Sequence, residues 1–377
     1  MRIGDLVRRL PWPVMLSAIA AGLLTARVRP PVVVRVNASD DHGPSIPHAA
    51  VEPRWLQRER AAQHGRGRRA GSPLQIPWRG WQDILVRVYE NVTAHRLLAV
   101  AGGIVFFSLL AIFPGITALV SSYGLFADVG TISNHLSALS DLMPANAFAI
   151  VQGEVQRIVA KGGGQLTAAF AFGLVLAFWS ANAGMKSLFD ALNVIYEEKE
   201  KRSFVWLNVV SFTFTLGAFG VIVLAVNAVV VFPLVLAYLG VNATDPWLIR
   251  FFRWPIMFAT IVIGLALLYR YGPSRANAQW RWVSVGSVFA ATTWIIVSLG
   301  FSYYLARFAN YDATYGSLGA VIGLMMWMWL SAIVVLAGAE LNAEIEHQTA
   351  RDTTEGRPKP LGARGATMAD TVGAAKS

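Results

Sequence analysis

Long apolar runs dominate the chain between residues 97 and 341, and each run is about twenty or more residues long. A helix of that length spans the hydrocarbon core of a bilayer, and loops rich in Lys and Arg stay on the cytoplasmic side. In this chain the Lys and Arg content of the loops alternates between high and low. The pattern predicts a polytopic membrane protein.

The lengths of the apolar runs and the positions of the loops between them predict an all-α bundle of six transmembrane helices. The third apolar run is too long for one perpendicular crossing and too short for two, so we expect one tilted span that breaks near Pro233. Pro114 lies inside the first run, where we expect a bend. The predicted spans cover residues 97–126, 166–192, 204–239, 249–269, 282–307 and 317–341.

The transmembrane domain, residues 97–346, is predicted to lie between two polar ends. Residues 1–77 are rich in arginine and form a basic, largely disordered arm in this interpretation, with anionic lipid as its partner. Residues 347–377 are expected to be a disordered cytoplasmic tail. The whole chain is 55% hydrophobic and 14% charged, far from a soluble average. It has no cysteine, so disulfides and thiolate metal sites are excluded.

Two regions outside the spans show the spacing of amphipathic helices. Residues 78–96 are expected to lie on the cytoplasmic surface, and part of the long outward loop 127–165 is expected to lie against the outer face of the bundle. The apolar positions are Trp81, Leu85, Val88 and Tyr89 in the first region and Phe148, Val151, Val155 and Ile158 in the second.

The cationic loops also predict an orientation. Six spans place both termini on one side of the membrane. The inward groups contain many more Lys and Arg residues than the outward loops, which hold only a few. Both termini are therefore predicted to be cytoplasmic.

Small residues recur four apart in two spans. Gly173, Ala177 and Ala181 do so in the second span, and Gly319 and Gly323 in the sixth. Such spacing lets another helix backbone come close. Tight packing and a moving interface are both consistent with it.

Polar residues inside the spans are the candidate site. Ionisable groups at membrane depth usually face a cavity, a partner charge or a transport path. A structural role remains open, because Lys186 and Asp190 are neighbours one turn apart and Glu340 can pair with Lys186 or an arginine to hold helices together. The candidates are Asn182, Lys186, Asp190 and Asn193 in the second span, Asn227 in the third, and Glu340, Asn342 and Glu344 at the end of the sixth.

Three segments resemble the YihY/BrkB family of bacterial inner-membrane proteins. They are AGGIVFFSLLAIFPG at 101–115, LFDALNVIYEEKEKRSF at 188–204 and YGSLGAVIGLMMWMWLSAIVVLAGAELNAEIE at 315–346. The resemblance covers roughly residues 82–348 and implies six helices and an inner-membrane location. Members of the family have carried the name ribonuclease BN, one is linked to serum resistance, and an export role has been proposed. The resemblance implies no settled activity.

The residues of the sequence do not support a nuclease activity. Phosphodiester hydrolysis needs a metal cluster or a histidine pair. The histidines are scattered along the chain without a metal-binding motif, so no metal, cofactor or nucleic-acid partner is expected. Ser317 would need a base at membrane depth to act as a protease nucleophile, and no histidine lies inside a predicted span. We therefore expect no enzymatic activity.

Two functional classes stay open. A transporter or exporter of a small solute, with an anion among the candidates, would line a cavity with Asn182, Lys186 and Glu340. A non-transporting protein that organises the membrane or envelope would need no polar path. The sequence identifies neither the substrate nor the oligomeric state, and a homo-oligomer is one alternative.

Overall fold

The computed structural model describes residues 53–126, 152–153, 156, 163–220, 246–307 and 319–376. Over these ranges the chain is helical, and pairing of extended backbone is limited to one isolated bridge, between Ala278 and Thr354. The all-α fold class is therefore confirmed. The helices are α1 (Arg54–Ala62), α2 (Trp78–Ala94), α3 (Leu97–Phe126), α4 (Gly163–Ile195), α5 (Phe204–Gly220), α6 (Pro246–Tyr271), α7 (Trp280–Arg307), α8 (Gly319–His347) and α9 (Thr367–Asp370), with a short 3-10 turn at Pro73–Gln75.

Two described helices are each long and apolar enough to cross a bilayer, Trp280–Leu305 in α7 and Val321–His347 in α8. A third crossing results if α2 and the first part of α3, which are bent by 59°, are counted as one span. The apolar stretches of α5 and α6 are shorter. The count of six spans stays a prediction. The predicted break at Pro233 and the site residue Asn227 lie outside the described residues.

The main apolar core lies where the C-terminal ends of α4, α6 and α8 meet the N-terminal ends of α3 and α7. Phe189 and Leu192 of α4 and Leu336 of α8 are completely buried there. The hydroxyl of Tyr269 in α6 donates a hydrogen bond to the carbonyl of Val335 in α8, at 2.7 Å. Close packing and such hydrogen bonds hold helices together in lipid, where the hydrophobic effect between helices is weak.

Helices α7 and α8 approach each other closely through glycine. A Cβ atom added to Gly338 would lie 2.6 Å from Cβ of Ala290, and one added to Gly286 would overlap the carbonyl oxygen of Gly338. Glycine at both positions is therefore required for the two backbones to approach this closely.

The small residues predicted as packing motifs have different surroundings. On α4, Gly173 and Ala177 are buried, Ala181 is half-buried, and Gly184 lies against Phe107 and Ser108 of α3. On α8, Gly319 and Gly323 are buried. A Cβ on Gly323 would find its nearest described neighbour, Leu305, only at 4.0 Å, so the tight contact of α8 is at Gly338 instead. Pro114 lies inside α3, and its predicted bend stays a prediction.

Residues 53–77 and 348–376 pack together into a cap at the C-terminal end of α8. Arg68 is 1% exposed, and its guanidinium donates to the carbonyls of Gln348 at 3.2 Å and Gly373 at 2.7 Å. The amide of Gly373 in turn donates to the carbonyl of His347 at 2.8 Å. Burial and the nearby charge of Arg87 lower the pKa of Arg68 to about 10, which leaves it charged at neutral pH.

The folded cap differs from the disorder predicted for residues 53–77 and for the tail, whereas residues 1–52 of the predicted arm lie outside the described residues. Arg364 shows the cause, because its guanidinium donates to the backbone carbonyls of Ala350 at 2.7 Å and Arg351 at 3.0 Å. Arginine-rich, glycine-rich composition predicts a solvated segment when no partner is known. Here the arginines instead satisfy backbone carbonyls of folded loops, and those of Arg68 lie about 280 to 305 residues away in sequence.

The α7–α8 crossing is testable with two glycines of the same helix. Gly286→Ala is expected to destabilise the protein by about 1–3 kcal/mol, because the added methyl group overlaps α8. Gly300→Ala is the matched control, since a Cβ there meets no atom of a described residue within 4 Å. The free energy of unfolding in detergent micelles measures both. Equal effects of the two substitutions would contradict the assigned crossing.

Candidate functional site

The predicted polar residues at the C-terminal end of α8 are Glu340, Asn342 and Glu344. All three are buried, and they contact neighbouring segments on two different faces of the helix. Glu340 and Glu344 are one helical turn apart and share a face, whereas Asn342 lies on the opposite face. The amide of Gly286 donates to Oδ1 of Asn342 at 2.7 Å, and Nδ2 of Asn342 donates to the carbonyl of Val283 at 3.0 Å. Asn342 therefore joins α8 to the backbone of α7, next to the glycine crossing.

Glu344 anchors α2 to α8. Its Oε2 accepts a charged hydrogen bond from Nε of Arg87, and its Oε1 accepts one from Nδ2 of Asn91 at 2.8 Å. Arg87 also donates from Nη2 to Oε1 of Gln348 at 2.7 Å. The side chains of Arg87 and Glu344 are 6% and 1% exposed, so this ion pair is shielded from water.

Glu340 contacts the junction between α2 and α3. Its Oε2 lies 2.9 Å from Nδ1 of His95, and the Glu340 side chain is completely buried. Burial lowers the pKa of His95, but the hydrogen bond and charge of Glu340 outweigh that effect and raise the pKa above its ordinary value. His95 is therefore held more firmly in its charged form than a solvent-exposed histidine.

Sequence reasoning missed one pair of the same cluster. Nη2 of Arg275, in the loop between α6 and α7, lies 2.9 Å from Oε1 of Glu346, and both side chains are at most 2% exposed. Arg275 also stacks over the ring of Tyr196, at 4.5 Å from its centroid. Glu346 lies six residues after Glu340 on the same helix, and that proximity was the available signal. We call these contacts the ion-pair network: Arg87–Glu344, His95–Glu340 and Arg275–Glu346.

A second polar group lies between α4 and α5. Nζ of Lys186 donates to Oδ1 of Asn208 at 2.6 Å. Asn182 precedes Lys186 by four residues and so shares its face of α4. Asn182 is 5% exposed, and its Oδ1 accepts no hydrogen bond from any described residue.

The facing side of α5 is polar as well. Ser211 and Thr215 follow Asn208 at helical spacing, and both are buried. Their hydroxyls donate to carbonyls one turn back on their own helix, at 3.1 Å and 2.8 Å. We call Asn182, Lys186, Asn208, Ser211 and Thr215 the polar strip.

The remaining predicted residues of α4 do not join the strip. Asp190 is exposed, and the hydrogen bond of Lys186 goes to Asn208 rather than to Asp190. Asn193 links two loops, because its Nδ2 donates to Glu200 at 3.0 Å and its Oδ1 accepts from the amide of Ser274 at 2.7 Å. Burial alone would raise the pKa of Glu200, but hydrogen bonds from Arg202 and Asn193 lower it to about 2.

Comparison with known proteins identifies related sequences. Residues 88–361 match the family described as Virulence factor BrkB. The ribonuclease-like protein YfkH of Bacillus subtilis is 32% identical over 267 residues, which are 69% of this chain and 94% of YfkH. A UPF0761 membrane protein of Vibrio vulnificus is 28% identical over 297 residues, covering 76% of this chain and 91% of that protein. No solved structure matches the chain.

Breaking one ion pair is expected to destabilise the bundle. In Arg87→Met the buried carboxylate of Glu344 loses its guanidinium, which costs about 3–5 kcal/mol for a buried pair. The double variant Arg87→Met with Glu344→Leu removes both charges and is expected to recover most of that loss. SDS titration in micelles measures the free energy of unfolding. Arg79→Met, an exposed arginine of the same helix, is the control, and a loss as large there would contradict the assignment.

The His95–Glu340 pair predicts a pH dependence. A histidine whose folded-state pKa is raised stabilises the fold fully below its unfolded value of 6.5, and this contribution is lost as pH rises through the higher folded pKa. Glu344 of α8 and Glu197 after α4 raise the pKa further. The melting temperature should therefore fall as pH rises above 6.5.

His95→Gln should flatten this dependence because it removes the titrating group. His64→Gln, which changes an exposed histidine, should leave the wild-type profile in place. Parallel profiles for wild type and His95→Gln would show that the pair contributes nothing to the pH dependence.

Proposed function

Because the chain belongs to the virulence factor BrkB family, we propose that it is an integral inner-membrane protein that moves a small solute, with an anion favoured. The observation that carries the transport proposal is Lys186, which lies in the predicted second span and donates to the neutral amide of Asn208. An intramembrane cation is costly and usually faces a cavity, a partner charge or a transport path. An amide neutralises none of its charge, and the carboxylate that interacts with Lys186 electrostatically, Asp190 one turn along α4, is exposed.

The neighbours of Lys186 favour a particular kind of solute. Oδ1 of Asn182, on the same face of α4, is a buried acceptor with no donor among the described residues. An unsatisfied buried acceptor costs about 1–3 kcal/mol. A small anion that also carries a hydroxyl or amine would satisfy both groups, with its negative charge on Lys186 and its donor on Asn182.

We further propose that both termini are cytoplasmic. The cap supports an even number of crossings, because residues 53–77 and 348–376 contact each other through Arg68 and Gly373. Segments that touch must lie on the same side of the bilayer. The excess of Lys and Arg in the predicted inward loops supports the cytoplasm as that side.

The contacts of α8 favour a second candidate function. In it, the protein organises the membrane or envelope without transporting a solute. The sequence left a polar path and helix pairing open for Glu340 and Glu344, and each forms a buried pair with His95 or Arg87. Their contacts are those of residues that hold helices together. On this proposal the polar strip would also be a packing feature.

We propose no ribonuclease activity, although the relative YfkH is named ribonuclease-like. The histidines beside the bundle, His95 and His347, lie next to Glu340 and Glu344. Those carboxylates are at most 1% exposed. A general acid or base must reach the proton that it transfers, and a phosphodiester cannot reach these carboxylates from water.

Transport is tested with purified protein in liposomes under an imposed gradient. Uptake would be measured for a panel of radiolabelled small carboxylates, hydroxy acids, amino acids and inorganic phosphate. Lys186→Gln is expected to lower uptake of the transported solute at least about tenfold, equivalent to about 1.4 kcal/mol, because the cation that binds it is lost. Lys199→Gln, an exposed lysine before α5, is the matched control and should transport normally.

Two results would overturn transport in favour of the second candidate. One is a folded, monodisperse wild type that moves no member of the panel. The other is uptake that is unchanged by Lys186→Gln and by Asn182→Leu.

A further inference from the structure

Helix α2 exposes large apolar side chains and buries charged ones. Its buried face carries Asp83 and Arg87, at 0% and 5% exposure, together with the completely buried Ile84. Its outward face carries large apolar side chains instead, which are Trp78 at 69%, Leu85 at 51%, Val86 at 40% and Tyr89 at 81% exposure. The inward side of α2 therefore combines charged and apolar contacts, and four large apolar side chains point away from the protein.

This arrangement follows the helical period. Asp83 and Arg87 are four residues apart, and their side is satisfied internally: Asp83 by Arg66 at 2.7 Å, and Arg87 by Glu344. Trp78, Leu85 and Tyr89 are seven and four residues apart, which places them on one stripe on the other side. The stripe is too apolar to be explained as a solvated surface.

We propose that the stripe of Trp78, Leu85 and Tyr89 binds the boundary between headgroups and acyl chains of an anionic lipid leaflet. Continuity with the transmembrane helix supports lipid as the occupant. Arg96, with φ of 52°, joins α2 to α3, and Leu98 in the first turn of α3 is already 52% exposed. The apolar surface thus runs from α2 onto a helix that enters the membrane.

The bend between α2 and α3 determines how deep each residue of the stripe lies in the membrane. The axes of α2 and α3 differ by 59°, so α2 rises about 30° from the membrane plane if α3 is perpendicular to it. The rise is smaller if α3 tilts away from α2 by the usual ~20°. Seventeen residues of helix extend about 25 Å. Tyr89, near the bend, should therefore lie deeper than Trp78 at the far end.

The charges around the stripe favour anionic lipid. Arg79 and Arg96 are exposed near its two ends. The one acidic side chain that is exposed on described α2, Glu90, is paired with Lys376 at 2.7 Å. Each arginine near an anionic surface contributes about 1 kcal/mol, and an apolar stripe with flanking cations is typical of an interfacial helix. This inference needs a membrane location and does not depend on the transport proposal.

The absence of cysteine from the sequence makes the test direct, because each single-cysteine variant carries one spin label. Leu85→Cys and Tyr89→Cys report on the stripe, and Glu90→Cys, one residue away and off the stripe, is the matched control. The labelled full-length protein is reconstituted in vesicles of phosphatidylcholine with phosphatidylglycerol and, separately, phosphatidylcholine alone. Collision rates with oxygen, which enters lipid, and with a water-soluble nickel chelate are compared by electron paramagnetic resonance.

We expect oxygen-to-nickel ratios several-fold higher at 85 and 89 than at 90, with 89 the deeper site, and a shallower signal at 85 without phosphatidylglycerol. Nickel-accessible labels at 85 and 89 would overturn the proposal. Labels shielded from both reagents and broadened by spin–spin coupling would assign the face to a second copy of the chain instead. Equal depth in both lipid mixtures would overturn the preference for anionic lipid.

Discussion

Pairing of buried carboxylates at the C-terminal end of α8 constrains the rest of the described structure. A carboxylate removed from water costs several kcal/mol unless a hydrogen-bonded cation compensates it. α8 carries three such groups within seven residues, and their partners come from α2, from the α2–α3 junction and from the α6–α7 loop. This end of α8 is therefore stable only when those segments are assembled around it.

The same constraint explains why residues 53–77 and 348–376 are folded. Once Arg87 is fixed on Glu344, its guanidinium also reaches Gln348 and the carbonyl of Ala374. Those contacts bring the tail over α2, where Arg68 closes the cap on Gly373. Because the family match starts at residue 88 and ends at 361, the cap is built largely from segments outside the matched region, attached to a network whose carboxylates lie inside it.

The sequence predicted the helices well where length and hydropathy decide, and the contacts poorly where distant partners decide. Glu340, Asn342 and Glu344 were named as candidate polar residues at the end of the sixth predicted span, but no local pattern identifies Arg87, 257 residues from Glu344 in the chain. The spacing of apolar residues also predicted α2, but it did not predict which side of the helix faces outward. Trp81 and Val88 were grouped with Leu85 and Tyr89, and the structure packs the first two against the protein and exposes the other two.

The network and the polar strip differ in one respect that bears on function. In the network each buried charge meets an opposite or hydrogen-bonding group from another segment, so moving a helix there would expose an unpaired charge. In the strip, Lys186 donates to an amide and lies 5.7 Å from the centroid of the Phe204 ring, and Asn182 keeps an acceptor without a described donor. A change of contacts between α4 and α5 would break no ion pair of the network. If part of this bundle moves to let a solute through, the free-energy cost of unpairing buried charges favours motion at the polar strip. Helices α2, α7 and α8 would then stay together.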